Sequence, residues 1–218
     1  MGFLSAFTKR PLSDCQQSVE RFSSIVSAYL NRLETKGGSL RERSLTLIAR
    51  SPSASVARAL IPHARELERE QVCIQLIFAK LSPIELLAEL ASALNLITPR
   101  DDRGGSVRLI KTPALLHAHE QLVLGGSTTW TGDMLRRCEE NRNGLNLLEE
   151  DAPGSVRLAQ FAFNAIWAIA KPVPTRILAG GNRLFPSGSA LDPAIAAAGL
   201  AADSAPPHHF SRWHTTRH

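Results

Sequence analysis

The chain has 218 residues, 44% of them hydrophobic, and a formal net charge of +5. That is one ordinary domain with extensions and enough apolar residues for a sizeable core. Residues 39–171 net only +1, so the composition argues against a nucleic-acid-binding core, which would gather Lys and Arg on one surface.

Met1 to Arg10 holds no long apolar stretch, and its charges follow its apolar residues, so no signal peptide is expected. Gly2 suggests myristoylation, but Ala6 stands where the motif needs Ser or Thr. No window reaches the roughly 20 apolar residues of a membrane span. Cys15, Cys73 and Cys138 are odd in number and lack CxxC spacing, which argues against a disulfide framework or a zinc site and for a reducing, cytoplasmic compartment. Ser13 to Glu34 reads as an amphipathic helix with Val19, Phe22, Ile25, Val26, Tyr29, Leu30 and Leu33 on one face. Ser13 and Gln16 are spaced as a capping box, and Gly37-Gly38 ends the segment. Residues 1–38 thus form an N-terminal helical extension that docks on the main domain or pairs with another protein.

The main domain, residues 39–171, alternates. Leu45–Ala49 is a short strand, Val56–Arg69 is helical with a kink or late start at Pro62, and Cys73–Ala79 is a buried strand. Ser82, Pro83 and Glu85 suit N-cap, N1 and N3 of a helix running to about Leu94. Asp101–Gly105 is a turn, and Val107–Lys111 is a third strand. Short strands follow at Glu120–Leu124, Thr128–Thr131 and Gly144–Leu148, and a helix closes the domain from about Gly154 to Ala170. The order βαβα, strand cluster, helix predicts an α/β fold with a mixed, mostly parallel sheet flanked by helices. The closing helix has only Arg157, Gln160 and Asn164 as polar side chains past its start, so it is expected to be buried on more than one side, inside the domain or against a second subunit. Residues 172–218 are rich in Pro, Ala and Gly and read as a largely disordered tail, with a short helix allowed at Pro193–Ala202.

One stretch suggests a family. His119-Glu120-Gln121 opens a strand, Gly125-Gly126 follows it, then come Trp130-Thr131-Gly132-Asp133-Met134-Leu135, Asn143-Gly144 and the apolar helix ending near Trp167. Over roughly residues 40–170 this resembles one half of the phospholipase D superfamily, whose motif is His-x-Lys with a later Asp, followed by a Gly-Ser-x-Asn turn. The resemblance implies a histidine that attacks phosphorus, a lysine that neutralises the phosphoryl oxygens and a carboxylate that orients the imidazole. Here His119 and Gly132 match, whereas Gln121 replaces the lysine, Gly126 the aspartate, Asp133 the serine and Leu135 the asparagine. Removing one electrostatic donor costs about 100- to 1000-fold in rate, and Asp133 would add repulsion. The family also needs two facing motifs, and the sequence holds no second His-x-Lys, so activity would require a homodimer.

Three functions follow as expectations: a non-catalytic interaction or regulatory domain, a phosphodiesterase with a composite site on a homodimer, and a weak nucleic-acid-binding module. The absent helpers favour reading His119 as a core-edge histidine. His117 would share its strand face, but Glu120 would point the other way, so no metal site and no cofactor is expected. Gly125-Gly126-Ser127 reads as a hairpin turn, and Arg136-Arg137 is the best remaining anion-site candidate. Glu149-Glu150-Asp151 is an acidic approach to a helix N-terminus. His208, His209, His214 and His218 in the tail would hold a metal only loosely, and Phe210, Arg212 and Trp213 resemble a short docking motif.

Overall fold

The computed structural model of the protein describes residues 11–36, 39–97, 106–137 and 145–179. They belong to the first of two compact units, which ends at Asn182. The expected turn at 101–105, the Gly37-Gly38 stop, Cys138, Asn143-Gly144 and the tail motifs lie outside the described residues. In chain order the elements are α1 (Pro11–Lys36), β1 (Ser44–Ala49), α2 (Ser55–Arg58), a 3-10 turn (Ile61–His63), α3 (Ala64–Arg69), β2 (Cys73–Phe78) and α4 (Ile84–Ala93). Then follow β3 (Val107–Leu109), a 3-10 turn (Pro113–His117), β4 (His119–Leu124), β5 (Thr128–Met134), β6 (Leu147–Glu149), α5 (Pro153–Ile169), β7 (Lys171–Pro172) and α6 (Thr175–Leu178).

The seven strands form one mixed sheet in the order β6-β5-β4-β1-β2-β3-β7. Only β1–β2 and β2–β3 pair in parallel; β1–β4, β4–β5, β5–β6 and β3–β7 are antiparallel. The expectation of a mostly parallel sheet is therefore corrected. Crossover helices join only the first three strands, whereas β4 turns straight back into β5 through residues 125–127, and such a short connection permits only antiparallel pairing. Gly125 takes a φ of +59° in that turn, a conformation an L side chain rarely adopts.

Local signals move by a residue or two. α1 is already helical at Ser13, so Ser13 is not its N-cap. Pro83, not Ser82, is the residue before α4; its extended backbone puts the first helical position at Ile84, and no side chain caps the end. Pro62 lies in the 3-10 turn that divides α2 from α3, where its missing N–H breaks the helix.

The sheet has two unlike faces. Leu45, Leu47, Phe78, Leu122 and Leu124 face α1 to α4 and α6 in one continuous core. α1 buries the expected stripe of Phe22, Ile25, Val26, Tyr29, Leu30 and Leu33 there. Phe22 meets the Trp130 ring edge-on at 4.7 Å, and Arg32 donates to the Thr128 hydroxyl at 2.6 Å. The Tyr29 hydroxyl donates to the Glu42 carbonyl at 2.7 Å; burial, then the Glu42 carboxylate, pushes its pKa above the ordinary tyrosine value. Val173, Ile177 and Leu178 join the same core, so the folded unit continues past residue 171.

The opposite face carries α5 and the Pro113–His117 turn, packed on Ile48, Ile77, Ile110, Leu135, Phe163 and Ile166, with a separate group of Val123, Val156 and Ala159. Registers place Thr46, Val123 and Thr129 in one cross-strand row of this face and Ile48, Gln121 and Thr131 in the next. Arg108, also on this face, stacks over the Trp167 ring at 4.3 Å. Among the described residues α5 is buried on one side alone: Leu158, Phe161 and Ile169 are 74%, 76% and 59% exposed, while the sheet and the Pro113–His117 turn meet its other side. No helix among the described residues is long and apolar enough to cross a membrane.

Candidate functional site

Strand order turns back between β1 and β4, the kind of place where an α/β sheet opens beyond the carboxyl ends of its parallel strands. β1 ends there at Ala49 and β4 starts there at His119. His119 is half-buried, and its Nδ1–H donates to the Gly132 carbonyl at 2.9 Å. Since a carbonyl only accepts, Nδ1 carries a proton, and in the neutral ring the lone pair lies on Nε2.

Gly132 lies in an irregularity of β5. His119 pairs with Met134 and Gln121 with Thr131, so Gly132 and Asp133 together oppose the single residue Glu120. This two-against-one bulge bends the strand and turns the Gly132 carbonyl toward the imidazole. Glycine is needed there, because an added Cβ would run into the Trp130 indole that covers it. The expected turn at Trp130–Gly132 is thus strand, continuing to Met134.

Glu120 and Asp133 are 2% and 6% exposed, two carboxylates buried at one bulge. Glu120 Oε1 accepts from the Arg50 backbone N–H at 3.0 Å. The Arg50 guanidinium donates to the Arg137 carbonyl. Arg137 in turn reaches Asp133 Oδ1 at 3.4 Å, while Asp133 Oδ2 is buried with no hydrogen-bond partner. The ends of β1, β4 and β5 are so joined through two carboxylates at the ends of the chain of bonds and two arginines between them, with the Arg50 N–H and the Arg137 carbonyl as backbone links.

The structure brings His119, Gly132, Asp133 and Arg137 together and leaves other predicted positions apart. Gln121 shares the strand face of His119, and its Oε1 is buried without a partner. Gly126 is in the turn at the other end of β4, seven residues from His119, or roughly 23 Å along an extended strand. Its N–H donates to Glu42 Oε2 at 3.3 Å, so it stands beside a different carboxylate altogether. Leu135 is 1% exposed and belongs to the apolar cluster under α5. Arg136 is exposed while Arg137 turns to Asp133, so the pair does not converge on one anion. His117 is exposed in a 3-10 turn rather than on a strand, so it does not share the face of His119. No group of three or more His, Cys, Asp or Glu among the described residues could hold a metal.

Sequence reasoning missed Glu120 and Arg50 as parts of this site. The signal existed for Glu120: Leu122 and Leu124 alternate with it on the core-facing side of β4, so a charge at 120 had to be buried and held. A concavity of about 330 Å³ opens elsewhere, lined by Arg41, Glu42, Gly126, Pro153 and Arg157. No family model matches the chain, and the searches of curated proteins and of solved structures also found no match.

Proposed function

We propose that the chain is a non-catalytic α/β domain related to one half of the phospholipase D superfamily, acting by binding rather than by cleaving phosphodiesters. Support for the kinship is the element order and the histidine that opens β4 opposite a glycine of β5. Support for the loss of chemistry is the charge around that histidine. Phosphoryl transfer needs fixed positive charge where the phosphoryl oxygens gain negative charge. Position 121 supplies an uncharged amide, and the nearby arginines are already directed at the protein's own groups, Arg50 at the Arg137 carbonyl and Arg137 at Asp133. Two carboxylates are buried at the bulge, Asp133 next to the glycine that holds the imidazole and Glu120 on the opposite face of β4, and their negative charge adds nothing that would draw in a phosphate. The uncharged amide of Gln121 on the strand face of His119, where the chemistry needs a cation, is the observation on which the reading rests.

The test is turnover of a generic activated phosphodiester by the wild-type protein and by His119→Ala. The expected rate is that of buffer for both. A rate above buffer that vanishes in His119→Ala would overturn the reading. One observation favours a second possibility, an enzyme with a composite site in a homodimer: the Nδ1–H bond to Gly132 makes Nε2 the nitrogen that carries the lone pair in the neutral ring, as a nucleophile or base requires. Under that reading the same assay shows His119-dependent turnover that falls away on dilution to monomer.

A further inference from the structure

We infer that the outward face of α5 is the two-fold interface of a homodimer, with the helix crossing its own copy antiparallel at Ala165. The inference deepens the reading of the chain as a binding domain and rests on it, naming a second copy as the partner.

The face is unusual for an exposed surface. At 100° per residue, Leu158, Phe161, Ala162, Ala168 and Ile169 all fall within about 60° of Ala165 around the helix axis. All six are exposed, and the three large ones are among the few large apolar side chains that the described surface presents. The buried side of the helix is a different set, Val156, Ala159, Phe163 and Ile166. The outward stripe is therefore not a by-product of core packing. A helix needing one buried face would carry polar residues at these positions.

The order of residues along the stripe identifies the occupant. Read outward from Ala165, Ala162 and Ala168 stand three residues away on either side, and Phe161 and Ile169 four residues away. A two-fold axis through Ala165 sets Phe161 against Ile169 of the copy and Ala162 against Ala168 of the copy. A self-associating surface must be complementary to itself in just this manner. The three alanines let the two backbones approach closely, and antiparallel helices also oppose their dipoles favourably.

Area and charge agree with this choice. Three large side chains at these exposures and three alanines offer on the order of 500 Å² per copy, or about 1,000 Å² in the pair, the lower end of specific interfaces. A contiguous patch of this size is at the upper end of what a monomer exposes, where such patches are often functional. A lipid surface is the competing occupant, but helices that lie in a membrane interface flank their apolar stripe with several Lys and Arg. α5 carries Arg157 alone.

The test is the mass of the full chain by sedimentation equilibrium at micromolar concentration. The expected value is twice the 23.7 kDa chain mass, and Phe161→Glu should weaken association by about 100-fold, since it puts an unpaired charge into the centre of the contact. Should Phe161→Glu fail to fold, Ala165→Cys serves instead: it should cross-link to its own copy under mild oxidation, beyond any cross-link formed by the wild type, and Arg157→Cys should not. A monomeric wild type, a dimer that Phe161→Glu leaves intact, or binding to phospholipid vesicles that Phe161→Glu abolishes would each overturn the inference. The turnover assay reads His119 and these measurements read the outward face of α5, so failure of the one reading is distinguishable from failure of the other.

Discussion

On one face of the sheet, α1 to α4 and α6 meet Leu45, Leu47, Phe78, Leu122 and Leu124 in a single aliphatic core. On the other, α5 lies over strands that offer Thr46, Gln121 and Thr129, and Thr46 Oγ1, Gln121 Oε1, Thr129 Oγ1 and Arg108 Nε are buried there without a hydrogen-bond partner. Each such group forgoes its bonds to water at about 1–3 kcal/mol. The helix on the polar side then presents Leu158, Phe161 and Ile169 outward. The contrast shows where the apolar packing is concentrated: the first face carries the larger aliphatic core, and the second seats α5 on a more polar surface while its outward stripe stays exposed.

Three measurements can break or sharpen that contrast. Phe78 is fully buried in the first core, and Phe78→Ala should cost about 3–5 kcal/mol in urea unfolding. A loss under about 2 kcal/mol would mean that this core is loosely packed and that the faces do not differ in the manner described. Alkaline titration probes the same side. The folded-state pKa of Tyr29 is raised, so its contribution is intact below the unfolded value of 10.0 and is lost as pH climbs above it. Wild type should lose about 1 kcal/mol by about pH 11 relative to Tyr29→Phe. Equal losses in both proteins would show that the hydroxyl is ionised as readily folded as unfolded. The smallest effect belongs to the second face. Thr129→Val removes a buried hydroxyl without a partner and should leave stability unchanged or raise it by about 1 kcal/mol. A loss above about 2 kcal/mol would mean the hydroxyl is satisfied after all and the polar face is as well built as the other.

Much of the architecture was legible in the residues. The α1 stripe from Phe22 to Leu33 reads directly as a docking face, and β1, β2 and β4 read as apolar runs, because helical and extended periods leave distinct patterns. Sheet direction was not legible, since it depends on which strand lies beside which, and β4 returns to β1 rather than extending the parallel set. The closing helix was counted as buried on its apolar content alone; composition cannot separate a side chain facing the core from one facing a partner. In the site, His119 and Gly132 could be singled out from spacing, but their hydrogen bond exists because β5 has one residue too many opposite Glu120, and register belongs to two strands at once. Gly126 was set beside His119 by motif spacing, and an extended strand carries it to the far end of the sheet.

α1 has a consequence for how the chain assembles. Its bond from Arg32 to Thr128 spans 96 positions, and Phe22 needs the ring of Trp130. A growing polypeptide therefore docks this helix first on Glu42 and α2, well before the β5 part of its site exists, and closing so large a loop delays that last contact relative to β1 and β2. In pulsed hydrogen exchange during refolding α1 is expected to gain protection in step with α2 and to reach its full level only when β5 is protected; full protection of α1 ahead of β5 would show that the contacts to Thr128 and Trp130 add nothing to its stability.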